Sequence, residues 1–229
     1  MMHWKKLLFW YRQLPPSNSS WQDYFSRFTD RRIGKTPLPD VRFVVLDVES
    51  SGLNPEKDRI LALSALVVQD SCIQVPDVLE CFVKQPMQWA KKQVEVHGIL
   101  PGSSSVRISE EELAKKLRAF IGTAVLVGHH ANFDRAILNA LFLRIGLPGL
   151  KNPWVDTATL AQRVWGLQEA YRHTDLDSLC RWYDIRTYDR HTASGDAFLT
   201  AQLFLKLCAR LEKRGVRNLE ALLKPPRIW

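Results

Sequence analysis

The run Val41–Gly52, VRFVVLDVESSG, limits the fold of this chain more than any other stretch. Phe43, Val44, Val45 and Leu46 are apolar without a break. A strand with one wet face alternates, so an unbroken run suits a central strand covered on both faces. The same run ends in Asp47 and Glu49, followed at once by Ser50, Ser51 and Gly52. Side chains at i and i+2 of a strand point to one side, which brings the two carboxylates together beside a turn that glycine permits. Bare, they repel, and one keeps its proton. Hard divalent cations, Mg²⁺ or Mn²⁺, remove that conflict by binding carboxylate oxygens. Taken alone, Asp-x-Glu has a plainer reading as an acidic strand end in solvent, since short motifs match by chance.

The chain beyond this strand reads as α/β with a mixed sheet. Arg59–Gln69 and Val78–Val83 are expected as a second and a third strand, and connections this short make them antiparallel neighbours. Val94–Leu100 reads as a short helix. Ser109 is placed to cap a helix that begins with Glu110, Glu111 and Glu112 and buries Leu113, Leu117 and Phe120. Ala124–Val127 reads as a short buried strand and Phe133–Leu143 as a helix, the alternation of a parallel βαβ unit. Helices over Thr157–Trp165, Leu176–Tyr183 and Gly195–Leu211 complete the second half.

Residues 1–39 are expected as a basic, amphipathic helical extension ahead of a domain spanning 40–229. They carry +5 of the formal net charge of +8. Trp4, Leu7, Leu8 and Tyr11 share one helical face, and Trp21, Tyr24, Phe25 and Phe28 share another, with Ser20 as cap, Asp23 as its partner and Gly34 as stop. The second helix is expected to dock on the domain that follows; for the first, docking and contact with a protein partner or membrane surface both stay open. A basic protein with an acidic pocket suits a polyanionic substrate reached through bound cations. The four cysteines show no metal-binding spacing and are expected as buried thiols in a reducing cytoplasm. The apolar run Leu7–Tyr11 is too short for a signal-peptide core or a membrane span.

Two further carboxylates stand at element starts. In Gly128-His129-His130-Ala131-Asn132-Phe133-Asp134, Asn132 is expected to cap the helix and Asp134 to lie in its first turn. In Arg190-His191-Thr192-Ala193-Ser194-Gly195-Asp196, His191 is expected on a loop and Asp196 in the first turn of the helix that follows. Asp47, Glu49 and Asp134 are expected at the level beyond the strands' carboxyl ends, where active sites of open α/β sheets gather.

Taken together, LDVESSGL, VEVHGI, VGHHANFD, VDTATLAQRV and RHTASGDAFLTAQLFL resemble, in order and spacing, the DEDDh family of 3′–5′ exonucleases, which includes the proofreading subunit of bacterial replicative polymerase. The resemblance covers about Val41–Leu211. It implies a ribonuclease-H-like mixed sheet, flanked by helices, with its first three strands antiparallel. It implies that Asp47, Glu49, Asp134 and Asp196 hold two divalent ions, Mg²⁺ or Mn²⁺, and that His191 is the general base. Substrate contacts are expected from Ser50, Gly52, Leu53, His129 and Asn132, with Gly52 and Leu53 holding the terminal nucleotide. The activity implied is release of nucleoside 5′-monophosphates from DNA 3′ ends, single strands preferred. Exoribonucleases share the same motifs, and a catalytically inert nucleic-acid or partner-binding module is the alternative of another class. Two positions depart from the family's pattern: Ser50-Ser51 where Thr-Thr is common, and His130 where Asn is common. The end of the chain, Ala221–Trp229, reads as no flexible partner-binding tail, so a stand-alone or loosely associated enzyme is expected.

Overall fold

The computed structural model describes residues 19–29, 31–86, 106–165 and 174–225. The expected helix through Trp4–Tyr11 and the segment Val94–Leu100 lie outside the described residues.

The core of the molecule is a six-stranded sheet in the order β4-β3-β2-β1-β5-β6. Its strands are β1 (Phe43–Ser50), β2 (Ile60–Gln69), β3 (Cys72–Val83), β4 (Arg107–Ile108), β5 (Val125–Gly128) and β6 (Trp154–Asp156). Strands β1, β2 and β3 are successive antiparallel neighbours, whereas β5 runs parallel to β1 and β6 parallel to β5. This is the α/β mixed sheet expected from the sequence.

Strand β1 is central and covered on both faces, as its apolar run requires. Val41, Phe43 and Val45 belong to one core with helix α6 (Ala193–Glu212), α4 (Thr157–Trp165) and α5 (Leu176–Trp182). Val44, Leu46 and Val48 belong to the other, with α1 (Ser19–Ser26), α2 (Glu110–Ile121) and α3 (Asn132–Arg144). Asp47 and Glu49 continue the first, odd-numbered series, so they emerge where the α6 side of the sheet ends. A short helix, α7 (Leu219–Leu223), lies against residues 36–38, with Leu219 N–H donating to Thr36 O at 3.1 Å.

Several local expectations need correction. Strand β3 starts at Cys72, six residues earlier than expected, because Asp70 and Ser71 adopt φ values of 53° and 58° and close a two-residue hairpin. The register then slips between Leu66 and Val67, which accommodates Pro76 without a ladder N–H. Cys72 is exposed at this hairpin, contrary to the expectation of four buried thiols. Ser109 does cap α2, accepting from Glu112 N at 3.2 Å. On α2, however, Ile121 takes the buried place expected of Phe120, which is only partly covered and lies under the Arg42 guanidinium. Helix α1 starts at Ser19 and ends at Ser26, well before Gly34, giving way to short 3₁₀ turns. Asp23 pairs with Arg27 at 2.6 Å instead of serving the helix start.

Candidate active site

Strand β1 delivers the first two carboxylates at its carboxyl end, opposite Ser64 and Ala62 of β2. The third comes from α6. Thr192 caps that helix by accepting from Gly195 N at 3.1 Å, and Asp196 follows in its first turn. Oxygens of Asp47, Glu49 and Asp196 all lie within 4.8 Å of one another. Asp134 is not one of these three. It projects from the first turn of α3, is buried, and takes a hydrogen bond from the Val48 backbone. A side chain at residue 128 would meet Asp134 Oδ2 at 3.1 Å, so Gly128 leaves room for that carboxylate.

Burial and mutual repulsion dominate the electrostatics. Burial, then the charges of Asp134, Asp196 and Glu49, pushes the Asp47 carboxyl well above its ordinary range, with Arg190 acting in the opposite sense. Burial and Asp196 raise Glu49 to about 7. Burial and the nearby Asp156 and Glu49 raise Asp134 as well. Carboxyls forced this way bind protons or cations. The donor set is all hard oxygen, so it fits Mg²⁺ or Mn²⁺ better than a soft metal.

Arg190 is the cation already present. Its Nε and Nη2 donate to Asp177 Oδ1 and Oδ2 at 2.6 and 3.1 Å, and its Nη1 donates to Asp196 Oδ1. This fork ties the start of α5 to the start of α6 and fixes the residue preceding His191. His191 itself is exposed on the connecting loop with φ of 63°. The loop presses so closely on α6 that a Cβ at Gly195 would lie 2.0 Å from Asp189 O.

The other expected contact residues fall in two places. Ser50 Oγ donates to Gly52 O at 2.7 Å, and Ser51 Oγ donates to Asp58 Oδ1 at 2.8 Å. A Cβ at Gly52 would lie 2.7 Å from the Asp58 carboxylate, so a side chain there would force that carboxylate to shift. The turn therefore holds Leu53 out in solvent, 88% exposed. His129 Nδ1 lies 2.8 Å from Thr157 Oγ1, and burial drives its ring down to about 4, so it is neutral near pH 7. His130 holds φ of 54°, a region that Asn and His enter more readily than most residues. Its N–H donates to Asp156 Oδ1 at 2.9 Å. Asn132 is not the cap of α3. Ala131 occupies that position without a side-chain bond, because the chain enters the helix through the His130 turn, and Asn132 is exposed.

Sequence reasoning missed Arg190, Asp177, Asp58 and Asp156. Only Asp156 left a local trace, as an acid just before α4, where it accepts from Ala158 N at 3.0 Å.

A family model described as exonuclease (RNase_T) matches residues 44–204. The PolC-type DNA polymerase III of Halalkalibacterium halodurans is 32% identical over 180 residues, 79% of this chain and 12% of that protein. A DNA polymerase III subunit epsilon-like protein of Rhodobacter capsulatus is 31% identical over 204 residues, 88% of this chain and 28% of the relative. The chain thus spans a minor part of the curated relatives it matches. Among solved structures, E. coli exonuclease I in complex with a dT13 oligonucleotide superposes with a TM-score of 0.65 at 16% identity, over 77% of this chain and 43% of that one. Exonuclease I from Methylocaldum szegediense gives 0.62 at 16% identity, over 76% and 41%. At such identity the likeness concerns the fold.

Proposed function

This chain belongs to the RNase_T exonuclease family, and on that premise we propose that it is a 3′–5′ exonuclease acting on DNA. It removes nucleoside 5′-monophosphates from 3′ ends, single strands preferred, with Asp47, Glu49, Asp134 and Asp196 holding two divalent ions. The observation that carries this reading is the convergence of three carboxylates within 4.8 Å at the end of β1. DNA as substrate is supported by the polymerase relatives and by the dT13 complex of E. coli exonuclease I. Four free thiols support action in a reducing cytoplasm.

The residues divide the work by position. Divalent ions held by these carboxylates would supply water activation and charge neutralisation at the leaving 3′-oxygen. The four carboxylates hold them and orient the phosphodiester between β1 and the start of α6. His191, exposed on its loop, takes the proton of the attacking water, a role for which an imidazole is suited. Arg190 keeps Asp196 and the loop in register through Asp177. Leu53, held out by the Ser50–Asp58 turn, covers the terminal base, and the backbone at Gly52 faces the terminal hydroxyl. His129 and Asn132 flank the strand entering the site.

The test uses 5′-labelled single strands of DNA and RNA in Mg²⁺, with and without chelator. Progressive shortening of the DNA from its 3′ end, stopped by chelator, is expected. Faster loss of RNA would move the substrate to RNA. Release of the label as the first product would reverse the polarity and refute the reading.

A further inference from the structure

The loop joining α5 to α6 carries more than Arg190 and His191. At its near end Ile185 is buried, and its N–H donates to Cys180 O at 2.8 Å. At its far end Thr192 Oγ1 donates to Asp189 O at 2.6 Å, beside the Arg190 fork. Between these anchors, residues 186–189 are exposed. Asp184, Asp189 and His191 hold positive φ values of 50°, 49° and 63°, a region that residues with side chains enter at a cost. Such strain persists only where surrounding contacts over-determine it, and it gathers at functional sites. The loop is therefore a shaped, anchored surface.

On that surface the Arg186 guanidinium lies 4.7 Å from the centroid of the Tyr188 ring. Tyr188 is 55% exposed. Two residues of extended chain reach at most about 7 Å. Tyr188 is two residues from Arg190, which bonds Asp196, so the aromatic–cation pair stands on the same loop that reaches the rim of the carboxylate cluster. A largely exposed ring with a guanidinium over it can take a base and the phosphate next to it.

We infer that Tyr188 and Arg186 form a stacking platform for the single DNA strand leading away from the reacting 3′ end. The ring receives a base and the guanidinium a backbone phosphate. Fixing the loop beforehand lowers the ordering cost of that contact. The inference rests on the exonuclease reading, which brings a strand to this rim.

Binding and hydrolysis are measured separately so that the two can fail independently. Fluorescence anisotropy with labelled dT12 in chelator, over a salt series, compares wild type with Tyr188→Ala, Tyr188→Phe and Arg186→Gln. Stacking losses of the usual size raise Kd about 5- to 150-fold in Tyr188→Ala. Tyr188→Phe retains affinity. Arg186→Gln flattens the slope of log affinity against log salt by about 0.7, one phosphate on a single strand. Hydrolysis of the same oligonucleotide by wild type is followed in Mg²⁺. If the binding pattern holds while wild type cleaves nothing, the platform stands and the exonuclease reading falls. If Tyr188→Ala binds within twofold of wild type and Arg186→Gln keeps the full slope, the platform is wrong whatever the hydrolysis shows. Wild type with no affinity for dT12 overturns it as well.

Discussion

At Gly195 the helix bearing Asp196 and the loop bearing His191 meet with no space for a methyl group. The neighbour of the built Cβ is a backbone carbonyl, Asp189 O, which cannot swing aside as a side-chain end would. Gly195→Ala is therefore expected to displace the loop while leaving the sheet intact. Misplacing a catalytic group by an ångström costs about 10²-fold in rate, so kcat should fall by that order with metal affinity retained. Unchanged kcat in a folded variant would mean that the close approach has no catalytic consequence. His191→Ala addresses the proposed base. It should lower turnover by about 10²–10⁴ while metal and DNA binding persist. A variant with wild-type activity across pH 6–9 would move the proton-accepting role to another residue, with His129 and His130 next in line. His129 is the weaker alternative, since burial already keeps it neutral and its Nδ1 is engaged by Thr157.

Among the elements, α1 shows how a segment expected to be an extension joins the core. Trp21 and Tyr24 are buried, and the Trp21 ring meets Phe142 of α3 edge-on at 5.5 Å. Tyr24 Oη donates to Asn152 Oδ1 at 2.5 Å and accepts from Lys151 N at 3.0 Å, while Asn152 Nδ2 donates to Ala124 O at 2.7 Å. Tyr24→Phe removes the hydroxyl and strands a buried carbonyl and N–H. A loss of about 1–3 kcal/mol in unfolding free energy is expected from denaturant titration. No measurable loss would show that water serves these groups equally well. The docking of this helix was expected from its apolar spacing, although the same aromatic face would also fit a partner. Likewise, β1, β5, α2 and α6 were legible, since their apolar patterns and caps are local signals. The Arg190–Asp177–Asp196 bridge was not. It joins residues 13 and 6 positions apart through side chains whose directions depend on two helix starts. The cap expected of Asn132 failed for a similar reason: the positive φ at His130 and the Asp156 carboxylate determine how the chain enters α3. Residue types told which groups were available, and tertiary packing chose among them.

For the molecule as a whole, a buried cluster of like charges inside a protein of net charge +8 makes stability depend on both pH and cation. The Glu49 carboxyl is raised to about 7 by burial and Asp196, and Asp47 and Asp134 are raised too. A carboxyl whose folded value is raised binds its proton more tightly when folded. Its contribution is thus fully present below the unfolded value of about 4.3 and is lost as pH rises through the folded value. In chelator, Tm is therefore expected to fall between about pH 5 and pH 8, and Mg²⁺ should raise it more at the upper end, where the ligands are ionised. A Mg²⁺ shift independent of pH would argue against these carboxylates as the binding groups. The central claim, that this cluster performs cation-dependent cleavage, is tested most directly by one comparison. Hydrolysis of 5′-labelled single-stranded DNA at saturating Mg²⁺ is measured for wild type and Asp196→Asn, which keeps the side chain's shape and removes its charge. Loss of one ligand should cost about 10²–10⁴ in rate, with wild type silenced by chelator. Near-equal rates for the two proteins, or cleavage that survives the chelator, would contradict it.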